Sequence, residues 1–232
     1  SKVDFLNYLY PMSILSATNI IKQYENLTVL NGVDFQVDSA EIKAIVGPSG
    51  AGKSTLLHIL GTLDDTDQGD LVIMDQQIKN LKAKEIAAFR NKHIGFVFQF
   101  HNLLPEFTAA ENIAIPAYVA KRAQTDIDKR TQELLKLLGI DKRADHKPSQ
   151  LSGGEQQRVA VARALVNSPG IVFADEPSGN LDSKNAEDLH KLFLQLRDEL
   201  GQAFVIVTHN KELSTMADHR YEMRDGKLTQ QL

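Results

Sequence analysis

The sequence predicts an α/β fold, with a largely parallel sheet core, an antiparallel β edge and an inserted α-helical subdomain. Three observations predict it. Short apolar runs of strand length alternate with helical patterns along most of the chain. One of those runs, Ile42–Val46, passes directly into a glycine-rich turn that opens a helix. A helix-rich block from about 100 to 155 interrupts the alternation and reads as a subdomain.

The elements follow in order. Val33, Phe35 and Val37 alternate with polar neighbours, the period of a half-buried strand. The run Ile42–Val46 is a second strand, and Lys53–Leu60 after the glycine-rich turn is a helix. Residues 71–74 and Ile94–Phe98 are further short strands. Helical periodicity runs over 108–139, and Pro116, which lacks an N–H and crowds the preceding turn, predicts a break or kink. Leu134, Leu135, Leu137 and Leu138 close this block before Gly139, a helix stop. Residues 155–166 form a strongly helical run. Residues 171–174 lead into a long amphipathic helix carrying Leu189, Phe193, Leu196 and Leu200 on one face. The run Ala203–Val207 leads into a short helix and a last strand over 219–223.

Composition bounds the function. The 232 residues carry 26 basic and 30 acidic side chains, a formal charge of −4, with 42% apolar and 24% charged residues. That is ordinary for one folded domain with a subdomain, able to bury a core without disulfides. There are no cysteines, which excludes thiol catalysis, thiolate metal sites and a disulfide scaffold. Mild acidity argues against nucleic acid as a partner. No run approaches the roughly 20 apolar residues of a membrane span. Residues 1–11 lack the basic start and apolar core of a signal peptide, and read as a leader or loose extension rather than fold. Residues 12–232 read as one domain.

Chemistry concentrates in three places. Gly47, Pro48, Ser49, Gly50, Ala51, Gly52, Lys53, Ser54 and Thr55 match the pattern of glycine, four residues, then Gly-Lys-Ser. Glycines let successive amides curl inward at phosphate oxygens, Lys53 adds a cation, and the Ser54 hydroxyl suits Mg²⁺. The helix that opens here adds the positive end of its dipole. Residues 171–174 are an apolar strand ending in Asp175 and Glu176, two acids that would face the same crevice. Asp175 would hold Mg²⁺, and Glu176 would orient or activate water. Ser152, Gly153 and Gly154 precede a helix as a hydroxyl cap followed by bare amides. A second phosphate-binding surface beside one phosphate loop points to a nucleotide shared between two chains.

Taken together, these segments resemble the nucleotide-binding subunits of ATP-binding-cassette (ABC) transporters, from about residue 14 to the C-terminus. Residues 47–55 resemble the Walker A loop and Gln99 the Q-loop glutamine. Residues 151–158 resemble the ABC signature, 171–176 the Walker B strand and 178–182 the D-loop. His209 resembles the switch histidine, and Tyr24 stands where the family stacks an aromatic on adenine. The resemblance implies the phosphate-loop NTPase fold of ABC ATPases, binding ATP and Mg²⁺. It implies catalytic roles for Glu176, His209 and Lys53, and metal contacts from Ser54, Gln99 and Asp175. It also implies a homodimer, each ATP lying between one Walker A loop and the other chain's Ser152, Gly153 and Gly154, with Asp182 at the seam.

A narrower resemblance lies in residues 94–108 followed by Glu111 and Asn112. These are similar to the lipoprotein-releasing branch of the family, which also holds MacB-like efflux and FtsE-like division ATPases. This implies two transmembrane permease subunits (LolC/LolE-like), a lipoprotein substrate, and a peripheral place on the cytoplasmic face of the bacterial inner membrane. An efflux or cell-division complex is the alternative. His101, Asn102, Leu103, Leu104 and Phe107 are then expected to line a docking groove for the membrane subunits. Ala40, Thr66, Asp75 and Ser178 depart from residues common in the family, and none removes a reactive group.

Overall fold

The computed structural model describes residues 13–231. The expected leader over 1–11 lies outside the described residues. Strands β1 (Ser13–Tyr24) and β2 (Leu27–Asp38) form a long antiparallel pair. Strand β3 (Ile42–Val46) leads into helix α1 (Lys53–Leu60), then β4 (Gln68–Ile73), β5 (Gln76–Gln77) and α2 (Ala83–His93). Strand β6 (Ile94–Phe98) precedes α3 (Ala109–Val119), α4 (Gln124–Leu137) and α5 (Gly153–Leu165). The chain then alternates through β7 (Ile171–Asp175), α6 (Ser183–Leu200), β8 (Ala203–Val207), α7 (Lys211–Met216), β9 (His219–Arg224) and β10 (Lys227–Gln231).

The strands make two sheets. One is antiparallel, in the order β2-β1-β4-β5; the other runs β10-β9-β3-β8-β7-β6 and is parallel except for its β10 edge. Register decides where chemistry can gather. Ile45 pairs with Val207, Val207 with Asp175, and Asp175 with Phe98. Four parallel strands therefore end level, and the loops after them share one edge of the sheet.

The larger sheet is buried on both faces, so its central strands read as continuous apolar runs. Alternate residues of β8 serve different cores. Ala203, Val205 and Val207 face the antiparallel sheet and α1, whereas Phe204 and Ile206 face α3 to α6. Phe173, Phe193 and Phe204 are fully buried, and truncating any of them to alanine is worth about 3–5 kcal/mol of stability. Buried residues of α3 and α4 merge into the same cluster as Val97, Val172 and Phe204.

Several expectations change. The helix that carries Pro116 is not broken there: α3 continues to Val119, and the break comes before Gln124. Pro116 gives up only one backbone donor, while its carbonyl accepts from the Ala120 N–H and the Asn91 and Asn167 side chains. Leu200 is not part of the buried face of α6; it is 43% exposed, because Gly201 turns the chain left-handed immediately after it. Ala40 and Asp75 adopt φ of 56° and 60°, the left-handed region that glycine enters without strain.

Candidate nucleotide site

Loop 47–52 lies between β3 and α1, pressed against β9. Gly47 has φ 149°, and a Cβ on it would sit 2.2 Å from the Met223 carbonyl oxygen, so only glycine fits. Lys53 is buried, and its ammonium donates to the carbonyls of Gly47 and Pro48 at 2.9 Å each. Burial pushes this lysine below its usual pKa range, while the carboxylates of Glu176 and Asp175 oppose the shift. A cation folded onto neutral carbonyls, with two acids nearby, is poised to meet an anion.

The Ser54 hydroxyl donates to Asp175 Oδ1 at 3.3 Å, which brings the start of α1 to the end of β7. Hydroxyl and carboxylate are hard oxygen donors, as Mg²⁺ requires. Among the described residues, no three or more His, Cys, Asp or Glu gather as a metal cage. Mg²⁺ keeps few protein ligands and completes its shell from phosphate and water.

Glu176 follows in the left-handed region, with φ 47°, a conformation uncommon for a residue with a Cβ. Its N–H donates to the Val207 carbonyl at 2.9 Å, and its own carbonyl accepts from Gly179 at 3.0 Å. This turn aims the carboxylate at the loop after β8. Oε2 accepts the His209 backbone N–H at 3.1 Å, and Oε1 stands 3.3 Å from His209 Nε2. The second approach is close but not aligned as a hydrogen bond, so Oε1 is buried with lone pairs free. His209 itself is largely exposed. A cavity of about 300 Å³ beside it is lined by Gly47, Pro48, Thr208, His209, Lys211 and Arg220, among others.

Gln99, after β6, is clasped by Asn180. Its Nε2 donates to Asn180 Oδ1 at 3.0 Å, and Asn180 Nδ2 donates back to the Gln99 carbonyl at 3.1 Å. The amide nitrogen of Gln99 is thus engaged with 178–182 here, not with Ser54 or Asp175. Asn180 lies within the segment read as a D-loop, and sequence reading assigned it no role of its own. Asp182 caps α6 by accepting from Asn185, which holds its carboxyl below the usual range.

Other expected residues lie apart from this cluster. Ser152 caps α5, accepting from Glu155 N–H at 3.3 Å, and Glu155 is braced by Arg143 at 2.7 Å. Among the described residues, no hydrogen bond or ion pair joins 152–154 to 47–55. Ser152 and Gly153 are exposed. Tyr24 is 47% exposed; its hydroxyl donates to Asp64 Oδ2 at 2.6 Å, and Lys22 Nζ lies 5.2 Å from its ring. No hydrogen bond ties it to the phosphate loop.

The expected docking groove divides. His101 is half-buried, and its Nδ1 lies 3.1 Å from Gln156 Oε1. Gln156 Nε2 donates to the carbonyls of Pro148 and Leu151, which turns Oε1 toward the imidazole. Leu103 packs onto the core. Leu104 and Phe107 are exposed at 44% and 41%, joined by Phe100 at 69%, which sequence reading did not select.

A parallel sheet ending in a phosphate loop, paired acids and a histidine defines a phosphate-loop ATPase. Residues 30–179 match the family model described as ABC transporter, and the chain belongs to that family. The chain is 58% identical to the lipoprotein-releasing system ATP-binding protein LolD of Cytophaga hutchinsonii, over 92% of this chain and 97% of that protein. It is 54% identical to the protein of the same name in Bacteroides thetaiotaomicron, over 93% and 99%. Among solved structures it is similar to the ATP-binding cassette MJ0796, whose dimeric post-hydrolysis state was solved with ADP and Pi. That likeness has a TM-score of 0.84 at 37% identity, covering 94% of this chain and 97% of that one. The protein is an ATPase subunit of an ABC transporter, hydrolysing ATP in a reaction coupled to transport.

Proposed function

We propose that this ATPase powers release of lipoproteins from a membrane through two transmembrane permease subunits, acting as a homodimer. The observation that carries the reading is the shared name of relatives 54–58% identical over at least 90% of this chain, lipoprotein-releasing ATP-binding proteins all. Among the described residues, no helix is long and apolar enough to cross a membrane. The substrate path then belongs to the permeases, with this subunit peripheral on the cytoplasmic face of the bacterial inner membrane. Nothing in the site favours an efflux or division complex.

Residues 12–232 act as one ATPase domain in this reading, with residues 100–155 as its helical subdomain. Lys53 neutralises charge on the γ-phosphate of bound ATP, and Mg²⁺ would supply further charge neutralisation there. Lys53 leaves the Gly47 and Pro48 carbonyls for phosphate oxygens, alongside the N–H groups of Ser49, Gly50, Ala51, Gly52 and Thr55, while Pro48, which has no N–H, shapes the turn. Ser54 and Asp175 would hold Mg²⁺, with Gln99 as a further ligand in the state where it is free of Asn180. Glu176 takes the proton of the attacking water as the bond from phosphorus to the bridging oxygen breaks. His209 holds that carboxylate and the γ-phosphate in line, and Tyr24 stacks on adenine. Ser152, Gly153 and Gly154 of the second copy close the site, beside its Asp182. The exposure of Ser152 and Gly153, and the lack of bonds from 152–154 to residues 47–55 of the same chain, support a composite site.

Purification from native membranes in mild detergent, followed by mass spectrometry, tests the assignment. Recovery of paired permeases with acylated lipoproteins is expected. Recovery of efflux or division proteins instead overturns the substrate class and leaves the ATPase standing.

A further inference from the structure

The turn after Glu176 and the start of α5 are fitted to each other. Leu181 and Asn185 lean on Gly153 and Gly154. A Cβ on Gly154 would lie 2.4 Å from Asn185 Oδ1 and 2.9 Å from its Cγ, and one on Gly153 would lie 3.7 Å from Leu181 Cδ2. Asn185 holds Asp182 from its other side. Its Nδ2 donates to Asp182 Oδ2 at 2.7 Å, and its backbone N–H donates to Oδ1 at 2.8 Å. Because a carboxylate only accepts, the amide nitrogen must face Asp182, and the amide oxygen is left facing Gly154. One half-buried side chain therefore spans the gap between two segments that are far apart in sequence.

We infer that Asn185 is a positioning residue that fixes the spacing of Asp182 from the Gly153–Gly154 helix start, so that both meet the second copy's nucleotide as one rigid edge. This rests on the composite-site reading above. It gives Gly154 a second reason to be glycine: the side chain of Asn185 occupies the space that a Cβ would need. Without that brace, α5 and the Asp182 turn move independently, and closing two copies must order both at once. The nucleotide contacts within one chain do not involve Asn185, so affinity of the single copy for ATP is unaffected.

The test uses the full chain carrying Glu176→Gln, which retains ATP. Dimerisation with MgATP is followed by sedimentation velocity across protein concentration, and ATP affinity of the monomer by fluorescent-nucleotide titration at high dilution. Asn185→Ala keeps the backbone cap of α6. It is expected to weaken the ATP-dependent dimer about tenfold, the scale of one lost charge-assisted hydrogen bond. Monomer ATP affinity is expected to stay at the parent's value, with the melting midpoint lowered by no more than the loss of one exposed side-chain hydrogen bond. Asn185→Ser, too short to reach Gly154, is expected to behave alike and serves if the alanine variant does not fold. Dimerisation equal to the parent overturns the inference, as does an equal loss of monomer ATP affinity. A parent that never dimerises with ATP overturns the composite site as well.

Discussion

Glu176 is tied to His209 by one hydrogen bond and one close approach: Oε2 of the carboxylate accepts the histidine's backbone N–H at 3.1 Å, and Oε1 lies 3.3 Å from its Nε2. The backbone bond fixes one oxygen, and the other, buried without an aligned donor, is the one free to accept a proton. Replacing Glu176 with Gln keeps the shape and the backbone bond but removes the carboxylate proposed as base. Phosphate release is expected to fall about 10²–10⁴-fold while ATP is still bound. Steady-state turnover with a parallel nucleotide-binding titration checks this; undiminished turnover assigns the base elsewhere.

Lys53 is the only lysine described here that is both buried in the phosphate loop and facing carbonyls rather than a carboxylate. Lys53→Ala leaves those carbonyls to water and removes the charge proposed to meet phosphate. ATP affinity is expected to fall about tenfold or more, with the melting midpoint of the nucleotide-free protein little changed. Calorimetric titration with MgATP reads the first quantity and thermal unfolding the second.

Phe100, Leu104 and Phe107 are exposed apolar side chains of the segment that follows Gln99. Fully buried Asn112 knots the loop beneath them, accepting from Leu104 N–H at 2.8 Å and donating to the carbonyls of Leu104, Phe107 and Thr108. Leu104→Glu with Phe107→Glu is expected to release the subunit from its membrane partners without changing the melting midpoint, since neither side chain is buried. Asn112→Ala is expected to cost about 1–3 kcal/mol, through buried groups left unpaired. Co-sedimentation with membranes and urea unfolding separate the two effects.

Asp64 accepts from Tyr24 and Lys22. Burial raises its pKa, but the bonds from Tyr24, Lys22 and the Asp65 backbone outweigh that and leave it below the usual carboxylate range. A depressed folded value means stability that is fully present above the unfolded aspartate pKa, about 4, and is lost as pH falls through the folded value. Lys22 has the opposite sense. Burial lowers its pKa, but the Asp64 bond and neighbouring charges raise it overall, so its share is present below the usual lysine value and lost above the raised one. Asp64→Asn is expected to flatten the acid limb of a urea-midpoint against pH profile. An unchanged acid limb contradicts the assignment.

Much of this was legible from local chemistry. Residues 47–55, Asp175 and Glu176 announced themselves because a phosphate loop and an acidic strand end need particular residue types at fixed spacing. Other elements hid for identifiable reasons. Strand β1 carries irregular register around Asn19, at φ 52°, which breaks the alternation that marks a strand. Helix α2 has no buried residue and so no apolar stripe to read. The clasp of Gln99 by Asn180 and the span of Asn185 to Gly154 join segments 81 and 31 positions apart, and no periodicity reports pairing of that kind.

Release of an acylated lipoprotein from proteoliposomes is the most direct test of the central claim. The vesicles hold the complex as it copurifies from membranes, and transfer to the aqueous phase is followed with and without MgATP. The account predicts release that requires ATP and is lost when this subunit carries Glu176→Gln. Release that proceeds equally with the Glu176→Gln subunit, or ATP turnover by an intact complex with no lipoprotein released, would contradict it.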